Sequence, residues 1–263
     1  MASVAVIPAR WGSTRFPGKP LVQLQGRELL ARVIDGARTS KRVARLIVAT
    51  DDDRIAELAR REGVAVAMTS SELATGTDRI WAAIQSDASV QDDDIVVNVQ
   101  GDEPLILGQT LDALVAAFDH RAELSMATLG RRLDVGLEAD RSALSLTTTA
   151  KILVNVKGEA IYFSRYPIPF SRKPAELAEG EDRRAVYKHV GIYAYRRRFL
   201  REFCVAPPCF MEQFEGLEQL RALWLGARIQ VVETTQESWG VDTPQDVEKI
   251  EALLNARSPI GTR

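Results

Sequence analysis

Cysteine, histidine and excess charge are what this chain has least of. Its 263 residues carry 2 Cys and 2 His. Cys204 and Cys209 are too few for a disulfide scaffold and read as free thiols in a reduced compartment. Neither His120 nor His189 adjoins a cysteine, which excludes a structural zinc site of Cys/His spacing. Lys and Arg total 34 against 36 Asp and Glu, giving a formal net charge of −2. That balance excludes a basic field for bulk nucleic-acid or membrane-surface binding, though not a local basic pocket. No apolar run approaches the ~20 residues that span a bilayer, so no membrane insertion is expected. Met1-Ala2-Ser3 runs directly into Val4-Ala5-Val6-Ile7 with no charged n-region. No signal peptide is read there, and the expected location is cytoplasmic.

What is present is a core. Hydrophobic residues make up 46% of the chain, enough for one large α/β domain with an inserted lobe. Residues 4–7, 46–49, 64–68 and 95–99 are short apolar runs that read as buried strands. Between them, Leu29, Leu30, Val33, Ile34 and Ala37 recur with helical period, as do Ile55, Leu58 and Ala59. Thr50-Asp51-Asp52 is a helix N-cap region, and Thr77-Asp78 is expected to start a helix through Ile80, Trp81 and Ile84. Strands alternating with helices imply right-handed βαβ crossovers and a mostly parallel, Rossmann-like sheet. The second half is less regular. Residues 151–156, 160–164, 190–195 and 228–232 read as strands, some antiparallel. Phe214, Leu217, Leu220 and Trp224 form one helical stripe, and Thr243-Pro244 opens a final helix through Leu254. Residues 172–184 and the tail from 258 are expected to be mobile, and Arg196-Arg197-Arg198 reads as exposed charge. The tryptophans read as core.

Ligands of such sheets bind at the carboxyl ends of the strands, so the loops after Ile7 and Val99 are where chemistry is expected. The first loop reads Pro8-Ala9-Arg10-Trp11-Gly12-Ser13-Thr14-Arg15-Phe16-Pro17-Gly18-Lys19-Pro20. Small residues there, such as Ala9 and Gly12, let backbone N–H groups approach phosphate oxygens closely. Arg10, Arg15 and Lys19 supply charge for a triphosphate, and Ser13 and Thr14 add hydroxyl donors. This is not a Walker loop, because its Gly-Lys-Ser/Thr ending is absent. In Asn98-Val99-Gln100-Gly101-Asp102-Glu103-Pro104, the Asp102 carboxylate should reach the sheet rim, where hard oxygen ligands suit Mg²⁺ carried by a nucleotide. Gly240-Val241-Asp242-Thr243-Pro244 offers a second metal carboxylate, Asp242, although an Asp before a helix can also act only as a dipole partner.

Together these motifs resemble the CMP-Kdo synthetases, the 3-deoxy-manno-octulosonate cytidylyltransferases. The likeness extends through Ala49-Thr50-Asp51, Gly76-Thr77-Asp78-Arg79, Met126-Ala127-Thr128-Leu129 and Tyr162-Phe163-Ser164-Arg165. It continues in His189-Val190-Gly191-Ile192-Tyr193, Leu217-Glu218-Gln219-Leu220-Arg221 and Val241-Asp242-Thr243-Pro244. The resemblance implies a nucleotide-diphospho-sugar transferase fold over residues 1–263, with a smaller mixed or antiparallel sugar-binding and dimerisation lobe at about 125–215, and a homodimer. It implies that Arg10, Ser13 and Lys19 hold CTP phosphates and that Thr75, Gly76, Thr77 and Arg79 lie near the base. Asp102 and Asp242 match magnesium ligands. Gln100, Arg165, His189, Tyr193, Glu215 and Gln219 match positions around a 2-keto-3-deoxy sugar acid, with Arg15 as a further candidate for its carboxylate. Two stretches depart from the family pattern: residues 131–149, and Glu237-Ser238-Trp239-Gly240 where a more glycine-rich turn is usual.

The reaction this implies is in-line attack of the sugar's anomeric hydroxyl on the α-phosphorus of CTP, with loss of pyrophosphate. Arg10, Lys19, Asp102 and Asp242 are the expected catalytic set, acting by positioning and charge stabilisation. Three other readings use the same residues differently. A CMP-sialic-acid-type synthetase would take a longer acid. A hexose-1-phosphate nucleotidyltransferase would use a Gly-x-Gly-Thr-Arg loop that is not seen here. A non-catalytic CTP-binding regulator would not need Lys19, Asp102 and Asp242 intact.

Overall fold

Strand β1 (Ser3–Ala9) has almost no polar side chain to place, and Ala5, Val6 and Ile7 are wholly buried. A strand buried on both faces needs apolar neighbours on either side, and the chain supplies them in parallel. In this computed structural model β1 pairs with β4 (Arg45–Thr50) on one side and β6 (Ile95–Asn98) on the other, and β4 pairs with β5 (Ala65–Met68). Fully burying a Val, Leu or Ile side chain contributes ~1.5–3 kcal/mol, and Val48, Val96 and Val97 are buried as completely as β1. The structure describes residues 2–13, 15–134, 137–170, 172 and 186–257. Thr14, the remainder of the charged stretch after Arg172, and the tail from Ser258 lie outside the described residues.

The chain forms two compact units, Met1–Asp112 with Ser238–Arg263, and Ala113–Glu237. In the first, η1 (Lys19–Leu21) and the small hairpin of β2 (Gln23–Leu24) and β3 (Arg27–Glu28) lead into α1 (Leu29–Arg38). The expected apolar stripe of α1 is its buried face. Helix α2 (Asp53–Arg61) starts where its cap predicts, with the Asp52 carboxylate accepting from the Arg54 N–H. Helix α3 (Gly76–Ile84) starts earlier than expected. Thr75 is its N-cap, closing a reciprocal capping box with Asp78, so Thr77 lies inside the first turn and is buried. Helix α4 (Gly108–Ala116) spans the unit boundary and was not read from the sequence. Helix α9 (Pro244–Arg257) ends the first unit.

The second unit is built on β7 (Met126–Arg132), flanked by β11 (Ile229–Glu233) in parallel and β10 (Val186–Arg196) antiparallel. Strands β8 (Lys151–Val154) and β9 (Ala160–Ser164) extend it antiparallel from β10. Helices α5 (Glu138–Ser145), α6 (Arg197–Val205), α7 (Phe210–Glu215) and α8 (Gln219–Trp224) complete it.

Three expectations need correction. The Phe214-to-Trp224 stripe is not one helix. Gly216, at φ +62°, ends α7 in the left-handed region, and α8 starts afresh. Leu217 and Leu220 are buried, whereas Phe214 and Trp224 are 89% and 58% exposed, so Trp224 is no core residue. Nor is Arg196 exposed charge. It is buried, and its guanidinium donates to the carbonyls of Leu124 and Arg121.

One backbone approach matters for the rim of the first unit. A Cβ added at Gly101 would lie 2.5 Å from the Pro8 carbonyl oxygen, so only glycine lets the turn after β6 pass the end of β1. Gly101→Ala is expected to cost ~1–3 kcal/mol through overpacking and to lower Tm visibly. Gly12→Ala, whose added Cβ meets nothing within 4 Å, should leave Tm nearly unchanged in the same melts.

Candidate active site

The first loop follows β1 and is pinned by its own tryptophan. The Trp11 carbonyl accepts from Ser13 and Gly18 N–H at 2.9 and 3.1 Å, and its indole lies under the Arg54 guanidinium at 3.3 Å. Asp51, at the end of β4, accepts from the Trp11 N–H and pairs with Arg79 at 3.1 Å. Arg79 is fully buried and also donates to Thr69 Oγ1 at 2.5 Å. These contacts tie the loop to the ends of β4 and α3.

Lys19 is the focus of the rim. Its Nζ lies 2.7 Å from Asp102 Oδ2 and 3.5 Å from Asp242 Oδ1, and Arg15 adds a 3.1 Å contact to the same Asp242 oxygen. The Asp242 contacts involve an Arg15 side chain that is 65% exposed, so that pair contributes ~0–1 kcal/mol. The Lys19–Asp102 pair, at 14% and 29% side-chain exposure, is better shielded and is the stronger of the two. Arg10 is exposed and has no hydrogen-bond or ion-pair partner among the described residues.

A cavity of about 270 Å³ opens here. Of the expected residues, Ala9, Arg10, Ser13, Arg15, Lys19, Thr75, Gly76, Arg79, Gln100, Asp102 and Asp242 line it, so the first loop, the stretch around Thr75 and both carboxylates are brought to one space. Gly12 and Thr77 do not line it. Leu73 and Ala74 do, and sequence reasoning missed them because apolar residues before a polar motif give no chemical signal. Asp51 and Arg54 were also given no role, although the Thr50-Asp51-Asp52 cap pattern marked their position.

The remaining expected residues form a second cluster, within the second unit. His189 on β10 sits between Phe163 and Tyr193, with ring centroids at 5.3 and 5.4 Å. Tyr193 O–H donates to Gln219 Oε1 at 3.3 Å, the Gln219 amide approaches His189 Nδ1 at 3.5 Å, and His189 Nε2 meets Thr128 Oγ1 at 3.1 Å. Thr128 in turn donates to the Ile192 carbonyl at 3.0 Å. Those partners assign a neutral imidazole with its proton on Nε2. Burial, helped by the nearby Arg165 charge, pushes the His189 pKa down to about 3. Burial likewise raises the Tyr193 phenol, with Glu218 adding to the shift.

Arg165 and Glu215 meet next. The Glu215 carboxylate accepts from Ser164 Oγ at 2.7 Å and from the Arg165 N–H at 2.8 Å, while Arg165 Nε donates to the Glu215 carbonyl at 2.9 Å. Lys151, wholly buried, was not read as a site residue. Its Nζ donates to the carbonyls of Leu146, Thr149 and Arg165 at 2.8, 2.8 and 2.5 Å. Burial lowers its pKa, with Glu215 opposing and Arg165 adding to the shift.

Asp102 and Asp242 are the two carboxylates that line the cavity. They already converge on one cation, the Lys19 ammonium, so their oxygens lie around a point that suits a hard ion. No group of three or more His, Cys, Asp or Glu side chains gathers as a metal site among the described residues. Other ligands would therefore come from phosphate and water.

A solved structure of CMP:2-keto-3-deoxy-manno-octonic acid synthetase complexed with CTP matches this chain with a TM-score of 0.85 at 36% identity, covering 97% of this chain and 99% of the other. The fold is thus that of the nucleotide-diphospho-sugar transferases. A family model described as Cytidylyltransferase matches residues 4–229, and the chain belongs to the cytidylyltransferase family. The 3-deoxy-manno-octulosonate cytidylyltransferase of Bdellovibrio bacteriovorus is 48% identical over 257 residues, covering 98% of this chain and 99% of that protein. The 8-amino-3,8-dideoxy-manno-octulosonate cytidylyltransferase of Shewanella baltica is 40% identical over 250 residues, covering 95% of this chain and 97% of that protein.

The His189 environment has a pH consequence. Its folded pKa of about 3 lies below the ordinary imidazole value of 6.5, so between the two the unfolded chain takes up a proton that the folded chain refuses. Stability should fall as pH drops from 6.5 towards 3. In urea melts across that range, His189→Gln should lose less stability than the parent. Equal slopes would mean that His189 is not held neutral.

Proposed function

We propose that this chain transfers CMP from CTP to the anomeric hydroxyl of a 3-deoxy-2-keto sugar acid, Kdo or its 8-amino variant, and releases pyrophosphate. The product would be the activated CMP-sugar for lipopolysaccharide synthesis. The observation that carries the reading is the convergence of Lys19 and Arg15 on Asp102 and Asp242 at the mouth of a cavity lined by the glycine/proline loop. Full-length similarity to proteins named for that reaction supports it.

The sugar hydroxyl oxygen forms a bond to the α-phosphorus while the bond from that phosphorus to the bridging oxygen of pyrophosphate breaks. The hydroxyl proton passes to solvent. Arg10, with no hydrogen-bond or ion-pair partner among the described residues, and Lys19 are the cations for the triphosphate, with Ser13 as a hydroxyl donor. Asp102 and Asp242 would hold Mg²⁺, which when bound offsets phosphate charge and lowers the pKa of a coordinated hydroxyl. Thr75, Gly76 and Arg79 serve the base, with Arg79 fixing the shape of that wall through Asp51 and Thr69. We assign Arg165, His189, Tyr193, Glu215 and Gln219, all within the second unit, to sugar-acid recognition. Arg165 provides charge for the acid. His189, held neutral, sets hydrogen-bond direction.

We also propose a cytoplasmic homodimer. No helix is long and apolar enough to cross a membrane among the described residues. Phe210 and Trp224 are both exposed and pack edge to face at 5.5 Å, and exposed Ile161 and Phe214 belong to the same unit. Sedimentation of Phe214→Ser/Trp224→Ser should show a smaller species than the parent. An unchanged coefficient would exclude those side chains from the contact.

The activity test is pyrophosphate release with CTP and Mg²⁺ plus Kdo, 8-amino-Kdo, a sialic acid or no acceptor. Release with either octulosonate, but not with sialic acid, supports the reading, and release with no acceptor at all would sink it. Asp102→Asn is expected to lower kcat by about 10²-fold or more while CTP affinity changes only a few-fold. Nearly intact turnover would remove Asp102 from the metal.

A further inference from the structure

Glu103 is a buried carboxylate that the proposed chemistry does not use. It follows Asp102 in the turn after β6, is 9% exposed, and does not line the cavity. One of its oxygens accepts from the Ser238 hydroxyl in a short hydrogen bond. The other accepts from the Trp239 N–H at 3.0 Å. The next backbone link, Val241 N–H to the Asp102 carbonyl, is 2.9 Å. Beyond it, the Asp246 carboxylate takes the N–H groups of Asp242 and Thr243 at 3.1 and 2.9 Å.

The segment from Thr234 to α9 has no strand ladder to hold it, so its direction depends on such individual bonds. Asp242 lies between the two anchors, Glu103 on one side and Asp246 on the other. We infer that Glu103 and Ser238 are a positioning pair that holds Asp242 opposite Asp102. Neither touches substrate. They act by fixing the backbone from which the Asp242 carboxylate projects.

The inference rests on reading Asp102 and Asp242 as metal carboxylates, and the experiment separates the two claims. Ser238→Ala, Glu103→Gln, their combination, and Asp242→Asn would be prepared, with circular dichroism and melting curves to confirm folding. Mn²⁺ binding to the protein–CTP complex would be followed by electron paramagnetic resonance, beside steady-state pyrophosphate release. Removing groups that orient a metal ligand typically costs about 10–100-fold in metal affinity. Glu103→Gln is expected in that range, and Ser238→Ala at its lower edge, with KM for the sugar acid unchanged within about twofold. The double variant should be no weaker than Glu103→Gln alone, because both act through one contact. If Asp242→Asn weakens Mn²⁺ binding but folded Ser238→Ala and Glu103→Gln do not, the clamp is overturned and the metal reading stands. If Asp242→Asn leaves Mn²⁺ binding unchanged, the metal reading fails and the clamp with it. Ser238→Ala removes only a hydroxyl, so it serves even if Glu103→Gln does not fold.

Discussion

The sharing of one lysine by two carboxylates organises the rim of the cavity. Asp102 comes from the turn after β6 and Asp242 from the entry to α9, more than a hundred residues later in the chain. Like charges brought together repel unless a cation lies between them, and Lys19 supplies it from the first loop. Three sets of contacts bear on that meeting. Gly101 lets the turn after β6 run against the end of β1. The Trp11 carbonyl closes the loop that carries Lys19. Glu103 and Asp246 fasten the two sides of Asp242. The three loops can approach only because the sheet beneath them is buried on both faces and does not yield.

The second unit solves a different problem, that of polar groups in an aromatic setting. The hydrogen bonds from Tyr193 through Gln219, His189 and Thr128 run in one direction and end on a backbone carbonyl. Each donor has an acceptor, so none carries the penalty of an unpaired buried group. Lys151 is the extreme case. Its ammonium is removed from water and given three carbonyls instead, which fixes the segment after α5 and the backbone at Arg165 together.

Much of the first unit was legible because its signals are local. Apolar runs as short as Ile95-Val96-Val97 mark buried strands, Asp52 marks a helix start, and charge crowded into a glycine/proline loop marks a lining segment of the cavity, whereas the Thr75 cap of α3 lies two residues before the start expected at Thr77. The later departures have physical reasons. Nothing in the periodicity of Phe214, Leu217, Leu220 and Trp224 reveals that Gly216 breaks the helix, because the stripe continues across the break. Arg196 looked solvated because it sits in an arginine run, yet the carbonyls of Leu124 and Arg121 that bury it lie some 70 residues earlier. Lys151 and Glu103 were invisible as positioning residues for the same reason. Their partners are set by folding, and a sequence pattern records only neighbours along the chain.

The placement of the indoles has an optical consequence. Of the 4 tryptophans, Trp11 stacks under a guanidinium in the first loop and Trp239 gives its N–H to Glu103 beside Asp242. Two of the chain's own fluorophores therefore stand in the first loop and in the segment leading to Asp242. A cation above an indole face and a carboxylate near its backbone perturb emission in different ways. Intrinsic fluorescence, with no label attached, can thus follow the first loop or the Asp242 segment in variants that keep only Trp11 or only Trp239.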